Sequence, residues 1–236
     1  MRQLLEGLSH LEKHGILHRD LKPANILLNK LGVLKIIDFG LSRRTKDMQY
    51  IKEEFRQFTH QVTTPLYRAP EMFLEEKLYS SKVDVWAAGC IFFELLTRKP
   101  LLPTEDGDLG VFKGMLKLFG VPDETSWPGV NKLQKFRGVA NFLKQERVQV
   151  KGLKTHFAQC NYNASPACVD FVSKLLVMCP EKRFSASEAL DHPYLTQVDP
   201  VPCQPNELPR FESDISQKSA RNLINKSKTN SKPSQM

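Results

Sequence analysis

Two short apolar runs, Ile26-Leu27-Leu28 and Val33-Leu34-Lys35-Ile36-Ile37, stand either side of the turn-forming stretch Asn29-Lys30-Leu31-Gly32, and they predict a small hairpin. Hairpin strands run antiparallel, so the segment entering the first and the segment leaving the second meet at one edge. The entering segment reads His18-Arg19-Asp20-Leu21-Lys22-Pro23-Ala24-Asn25, and the leaving one reads Asp38-Phe39-Gly40. The hairpin therefore gathers Asp20, Lys22, Asn25 and Asp38. Two carboxylates, an amide and an ammonium at one edge suit metal–phosphate chemistry. The oxygens of Asn25 and Asp38 are hard ligands of the kind Mg²⁺ takes, and Lys22 can offset charge on a phosphoryl group. An Asp and an Asn in a loop are also ordinary turn formers, so the cluster needs support from the rest of the chain.

The rest is mostly helical in pattern. Leu4, Leu5, Leu8 and Leu11 fall at helical spacing, so the chain opens in an amphipathic helix ended by Gly15. Residues 83–97 are almost wholly apolar and predict a buried central helix; 108–119, 167–178 and 185–190 add amphipathic ones. Residues 43–64 are polar and aperiodic, too long for an ordinary connection, and such loops usually carry function. Lys35, inside the second run, is expected to project from the sheet. His10 and His14, four apart on the opening helix, have no third ligand nearby in sequence and read as part of a solvated helix face.

The strings His18-Arg19-Asp20-Leu21-Lys22-Pro23-Ala24-Asn25, Asp38-Phe39-Gly40 and Ala69-Pro70-Glu71, in that order, resemble the protein kinase signatures. The resemblance covers roughly residues 1–195. It implies an α+β family fold that is mainly α here: the kinase C-terminal lobe, a helical bundle with small β-hairpins, lacking the five-stranded N-terminal lobe. It implies a Ser/Thr kinase using ATP and Mg²⁺, in which Asp20 orients the substrate hydroxyl or accepts its proton, Lys22 contacts the γ-phosphate, and Asn25 and Asp38 hold the metal. His18, Phe39 and Gly40 would be structural. Asp84, in Asp84-Val85-Trp86, would tie down the catalytic-loop backbone, and Glu71 would pair with Arg183.

The activation segment would then run over 38–71, and its end resembles the group containing cyclin-dependent and mitogen-activated kinases, with the cyclin-dependent pattern fitting better. Thr59 falls where that group carries its activating phosphate, which Arg19 and Arg43 would receive. Thr64 would hydrogen-bond near Asp20 and Lys22, and Arg68 would support a pocket for proline after the phosphorylated Ser or Thr. Pro65 and Leu66 depart from the family pattern at their positions. An insert over about 103–160, with Trp127-Pro128-Gly129, resembles the docking insert of the same group. The implied partners are protein substrates with Ser/Thr-Pro sites, a cyclin-like activator and an upstream activating kinase.

No two glycines are spaced GxG and only seventeen residues precede His18, so the glycine-rich phosphate loop and its strand lysine are not expected in this sequence. The chain alone is expected to be inactive, and a non-catalytic docking module is the second reading. Residues 196–236 turn to Pro, then Ser, Asn and Lys, and predict a disordered basic tail. From Arg210 onward six basic and two acidic residues give +4, half the net charge of +8, which reads as solvation rather than a nucleic-acid surface. There is no run of eighteen apolar residues and the five cysteines include no CxxC pair, so neither a membrane-spanning helix nor a disulfide framework or zinc knuckle is suggested. An intracellular protein, nuclear or cytoplasmic, is expected.

Overall fold

The computed structural model describes residues 1–45, 65–74, 79–102, 107–133, 135–138, 150–197 and 207. Thr59, Thr64, most of the long polar loop and nearly all of the basic tail lie outside these residues. Helix α1 (Arg2–Lys13) buries Leu4, Leu5 and Leu8 on one face, as its leucine spacing requires. Strand β1 (Ile16–Leu17) follows, and then the hairpin β2 (Ile26–Leu28) and β3 (Leu34–Ile36) forms a two-stranded sheet. Lys35 is exposed, as expected.

One feature was not legible in the chain's periodicity. Arg43–Arg44 forms strand β4, antiparallel to β1 with Leu17 opposite Arg43 and Ile16 opposite Arg44. Two-residue strands carry no period to read, and this pair is set by backbone bonds at the end of α1, where the Gly15 carbonyl accepts from both the Thr45 N–H and hydroxyl.

The later helices are α2 (Pro70–Phe73), α3 (Lys82–Thr97), α4 (Gly107–Phe119), α5 (Leu153–Gln159), α6 (Pro166–Leu175), α7 (Ala186–Leu190) and α8 (Pro193–Thr196). Apolar all round, α3 is the core helix: Trp86, Phe93 and Ile91 are buried, and α6 and α1 pack against it. Gly89 permits a close approach to the end of α6, since a Cβ there would stand 3.1 Å from Leu175 Cβ and 2.8 Å from Cδ2 of the cap residue Leu176. The sequence pattern carried α6 on to residue 178, but the helix ends at Leu175, where Leu176 leaves helical geometry (φ −105°, ψ 53°). Ser185 caps α7 through a reciprocal box with Glu188.

Contacts group Met1–Leu27 and Leu34–Pro202 as one unit, and the hairpin tip Leu28–Val33 belongs to a second. Within the tip, Asn29 Oδ1 accepts the N–H groups of Leu31 and Val33, both at 2.9 Å. Among the described residues no helix is long and apolar enough to cross a membrane.

Candidate active site

The site is built on the loop between β1 and β2, and a carboxylate from the core helix holds that loop. Asp84, in the first turn of α3, is buried; its Oδ2 accepts the His18 N–H at 2.7 Å and its Oδ1 the Arg19 N–H at 2.9 Å. Burial pushes the Asp84 carboxyl above its ordinary pKa, and these two N–H bonds together with the charge of Arg19 pull the other way. Arg19 is thereby held at φ +69°, a left-handed conformation that costs a non-glycine residue on the order of 1–2 kcal/mol.

His18 joins the two loops that the hairpin brings together. Its buried ring faces the Ile37 carbonyl through Nε2 at 2.9 Å and accepts the Asp20 N–H at Nδ1 at 3.3 Å. A carbonyl only accepts, so Nε2 carries the hydrogen. Phe39 meets the same ring edge-on, with centroids 5.0 Å apart. Ile37 N–H in turn donates to the Asn25 carbonyl at 2.9 Å. Asp38, the next residue, is thus delivered to the Asn25 side of the loop.

Asp20 Oδ2 is the convergence point. It accepts from Lys22 Nζ at 2.7 Å and from Asn25 Nδ2 at 3.2 Å, and Asn25 Nδ2 also donates to the Asp20 carbonyl at 2.7 Å. Asp20 and Asn25 are buried while Lys22 is partly exposed. With both amide hydrogens committed to Asp20, the Asn25 side-chain oxygen is left as an acceptor, a hard ligand for a cation. Asp38 is exposed and left-handed (φ +65°), and among the described residues its carboxylate accepts a single long 3.3 Å bond, from the Gly40 N–H. The oxygen donors of Asn25 and Asp38 therefore fit Mg²⁺ by type and by availability.

Around this centre lie the groups expected to handle phosphate and substrate. Arg19 stands over the Tyr79 ring at 5.7 Å, and its buried Nε has no hydrogen-bond partner among the described residues. Desolvation lowers the pKa of the guanidinium, and the charge of Arg43 lowers it further, so two cations share this neighbourhood. Arg68 is buried, donates to Asp108 Oδ2 at 2.6 Å and packs over Phe73 at 5.1 Å. Tyr67 donates to Glu94 Oε2 at 2.7 Å. Glu71 and Arg183 form a pair with no exposed side-chain surface.

Sequence reasoning passed over Tyr79, Glu94 and Asp108. Glu94 had a signal, being the one charged residue in the otherwise apolar stretch 85–97. Asp108 opens a helix, and Tyr79 sits in a polar stretch, so neither stands out without the fold.

With this geometry in hand, comparison with known proteins is specific. The family described as "Protein kinase domain" matches residues 1–195. The chain is 38% identical over 220 residues to cyclin-dependent kinase 11.1 of Caenorhabditis elegans, covering 93% of this chain and 29% of that protein. It is 38% identical over 209 residues to cyclin-dependent kinase 20 of Danio rerio, covering 89% and 56% respectively. The chain thus spans between about a third and just over half the length of these relatives. Among solved structures, a chain of the yeast RNA Pol II CTD kinase CTDK-1 complex superposes with a TM-score of 0.73 at 32% identity, over 88% of this chain and 64% of that one. From the ordered motifs, the fold and these matches it follows that the chain belongs to the protein kinase domain family, with cyclin-dependent kinases among its relatives.

Proposed function

We propose that this chain provides the metal- and hydroxyl-positioning half of a cyclin-dependent-type Ser/Thr kinase site, which transfers the γ-phosphate of ATP to protein Ser or Thr, with proline preferred next. The observation that carries the reading is the convergence of Lys22 Nζ and Asn25 Nδ2 on Asp20 Oδ2. That contact presents one carboxylate to a substrate hydroxyl while a cation and an amide oxygen stand beside it. Asp20 orients the hydroxyl and takes its proton, and Lys22 offsets γ-phosphate charge. Asn25 and Asp38 hold Mg²⁺, which when bound neutralises charge on the phosphates. Mg²⁺ held by one or two protein oxygens would take its remaining ligands from the phosphates and water.

Regulation follows from the cations. Phosphate on Thr59 brings nearly two negative charges to Arg19 and Arg43 and orders the segment 38–71 by charge-assisted bonds. By the resemblance Thr64, outside the described residues, would hydrogen-bond near Asp20 and Lys22, and Arg68, between Asp108 and Phe73, would support the pocket for the residue after the phosphorylated one. A cyclin-like activator and an upstream kinase are the partners this scheme requires. The 236 residues alone are expected to turn over negligibly, because catalysis here is positioning and electrostatics and no glycine-rich loop is in the sequence to close over the nucleotide.

The test is a titration of the purified chain with Mn²⁺-ATP followed by amide NMR, beside a transfer assay on a Ser-Pro peptide. Broadening centred on Asn25 and Asp38, lost in Asp38→Asn, with no measurable transfer, is the expected result. Peptide binding without any metal–nucleotide response at Asn25 and Asp38 would instead favour the docking-module reading. Transfer abolished by Asp20→Ala would overturn the inactivity of the isolated chain.

A further inference from the structure

The end of α1 carries two histidines that phosphoryl transfer does not use. His10 and His14 are both exposed, and their ring centres lie 4.2 Å apart with planes inclined by 38°. His14 is the C-cap residue, and its Nδ1 lies 2.8 Å from the His10 carbonyl oxygen. Because that oxygen only accepts, Nδ1 carries the hydrogen and Nε2 keeps its lone pair on an exposed side chain. A carbonyl or carboxylate on the far nitrogen is the usual support of a metal-ligating imidazole, since it fixes both tautomer and ring orientation. The helix that presents the rings is anchored by buried Leu4, Leu5 and Leu8 and lies against α7 and α3, so the rings are juxtaposed by rigid backbone.

We propose that His10 and His14 form a two-histidine site for a borderline first-row divalent cation of the Ni²⁺, Cu²⁺ or Zn²⁺ class. The chain supplies two imidazole nitrogens and water takes the remaining positions, consistent with no larger group of His, Cys, Asp or Glu among the described residues. Imidazole suits these ions rather than Mg²⁺, so the site does not compete for the hard cation at Asn25 and Asp38. Metal–nitrogen bonds of about 2.0–2.1 Å would place the centres of two chelating rings roughly 4.5–5 Å apart. The observed 4.2 Å differs from that by a few tenths of an ångström, a change that two exposed side chains make by small χ rotations. Once one ring holds the ion the other meets it at an effective rather than a bulk concentration, which strengthens binding about tenfold or more over a single imidazole.

Titration of the whole chain with NiCl₂, read by calorimetry and by paramagnetic broadening of amide signals, tests this. The variants are His10→Gln, His14→Gln and the double substitution, each exposed and each checked for folding by circular dichroism. The expected result is broadening centred on the last turn of α1, a loss of affinity of about tenfold or more in each single variant, down to that of one imidazole, and loss of the remaining binding at this turn in the double. A smaller loss in either single variant, or broadening centred elsewhere, overturns the proposal. Saturating Ni²⁺ is also expected to raise the Tm of the parent chain and leave that of the double variant unchanged, because a ligand that binds only the folded state stabilises it. An equal rise in both would likewise overturn it.

Discussion

The carboxylate of Glu71 and the guanidinium of Arg183 meet two-pronged at 2.7 and 2.8 Å, with no exposed surface on either side chain. The pair ties α2, just after the segment that carries Arg68, to the turn before α7. Arg183 spends its other donors on the carbonyls of Val177, Lys82 and Met178, so all five N–H groups have acceptors, and it lies 5.1 Å over the Trp86 ring. Removing one partner strands the other charge in the core. Glu71→Met is expected to lower stability in urea by about 3–5 kcal/mol, and Arg183→Met by a similar amount. The double variant Glu71→Met/Arg183→Met is expected to cost clearly less than the sum. Additive losses would show that the pair is not coupled.

Gly89→Ala sets two effects against each other. Replacing a mid-helix glycine with alanine favours the helix by about 1 kcal/mol. The new methyl, however, would stand 2.8 Å from Leu176 Cδ2, 2.9 Å from its Cγ and 3.1 Å from Leu175 Cβ. The Leu176 side chain can rotate, but the Leu175 Cβ moves only with its helix, so overpacking of about 1–3 kcal/mol wins. The variant is expected to be less stable than the parent in thermal and urea unfolding; a gain in stability would mean that α6 yields.

The fold was legible where the signal was local and periodic. The leucine spacing of α1 and the apolar length of α3 each named its element, because burial on one face or all faces leaves a mark in sequence. The strand pair joining Ile16–Leu17 to Arg43–Arg44 left none, being held by backbone bonds between distant segments. The same division runs through the site. Antiparallel pairing alone was enough to bring Asp20, Lys22 and Asn25 toward Asp38. The residues that support the rim, Tyr79 under Arg19 and Asp108 against Arg68, come from positions 60 and 40 residues further along the chain, and no period links them.

Asp84→Asn probes the anchor of the site's loop. Both Asp84 oxygens accept backbone N–H groups, and an amide offers one oxygen and one donor. One of the His18 and Arg19 N–H groups would then face an N–H₂, leaving a buried donor unsatisfied at about 1–3 kcal/mol. Because Arg19 is already held in the left-handed region, the loss is expected to appear there first. Hydrogen exchange at the His18 and Arg19 amides should accelerate more than exchange at core amides of α3. Uniform acceleration across the molecule would assign Asp84 a general packing role instead.

Acid should loosen the segment around Asp123 and Glu124 before it unfolds the core. Asp123 Oδ1 accepts from the Ser126 and Thr125 N–H groups, and Glu124 spans the Gly129 and Asn131 N–H groups with its two oxygens. Bonds from Ser126 hold the Asp123 carboxyl below its ordinary pKa, and the bond from Gly129 does most to lower that of Glu124. For a carboxylate depressed by folding, the charged form is the one the fold favours. Its contribution is therefore complete above the unfolded values of about 3.9 for Asp and 4.3 for Glu, and is lost as pH falls below them through the folded values. His156 works in a higher window. Burial lowers its pKa, so its neutral ring, set against the Leu101 carbonyl, supports the fold above about 6.5 and begins to lose that effect as pH falls from there. Amide exchange at Ser126, Gly129 and Asn131 is expected to be unchanged between pH 7 and 5, after correction for intrinsic rates, and to rise below about pH 4. In Glu124→Gln the Gly129 and Asn131 amides should exchange faster at neutral pH and respond less to acid, since the group that titrates is gone. If acid sensitivity at Gly129 survives that substitution, the pH response of this segment does not come from Glu124.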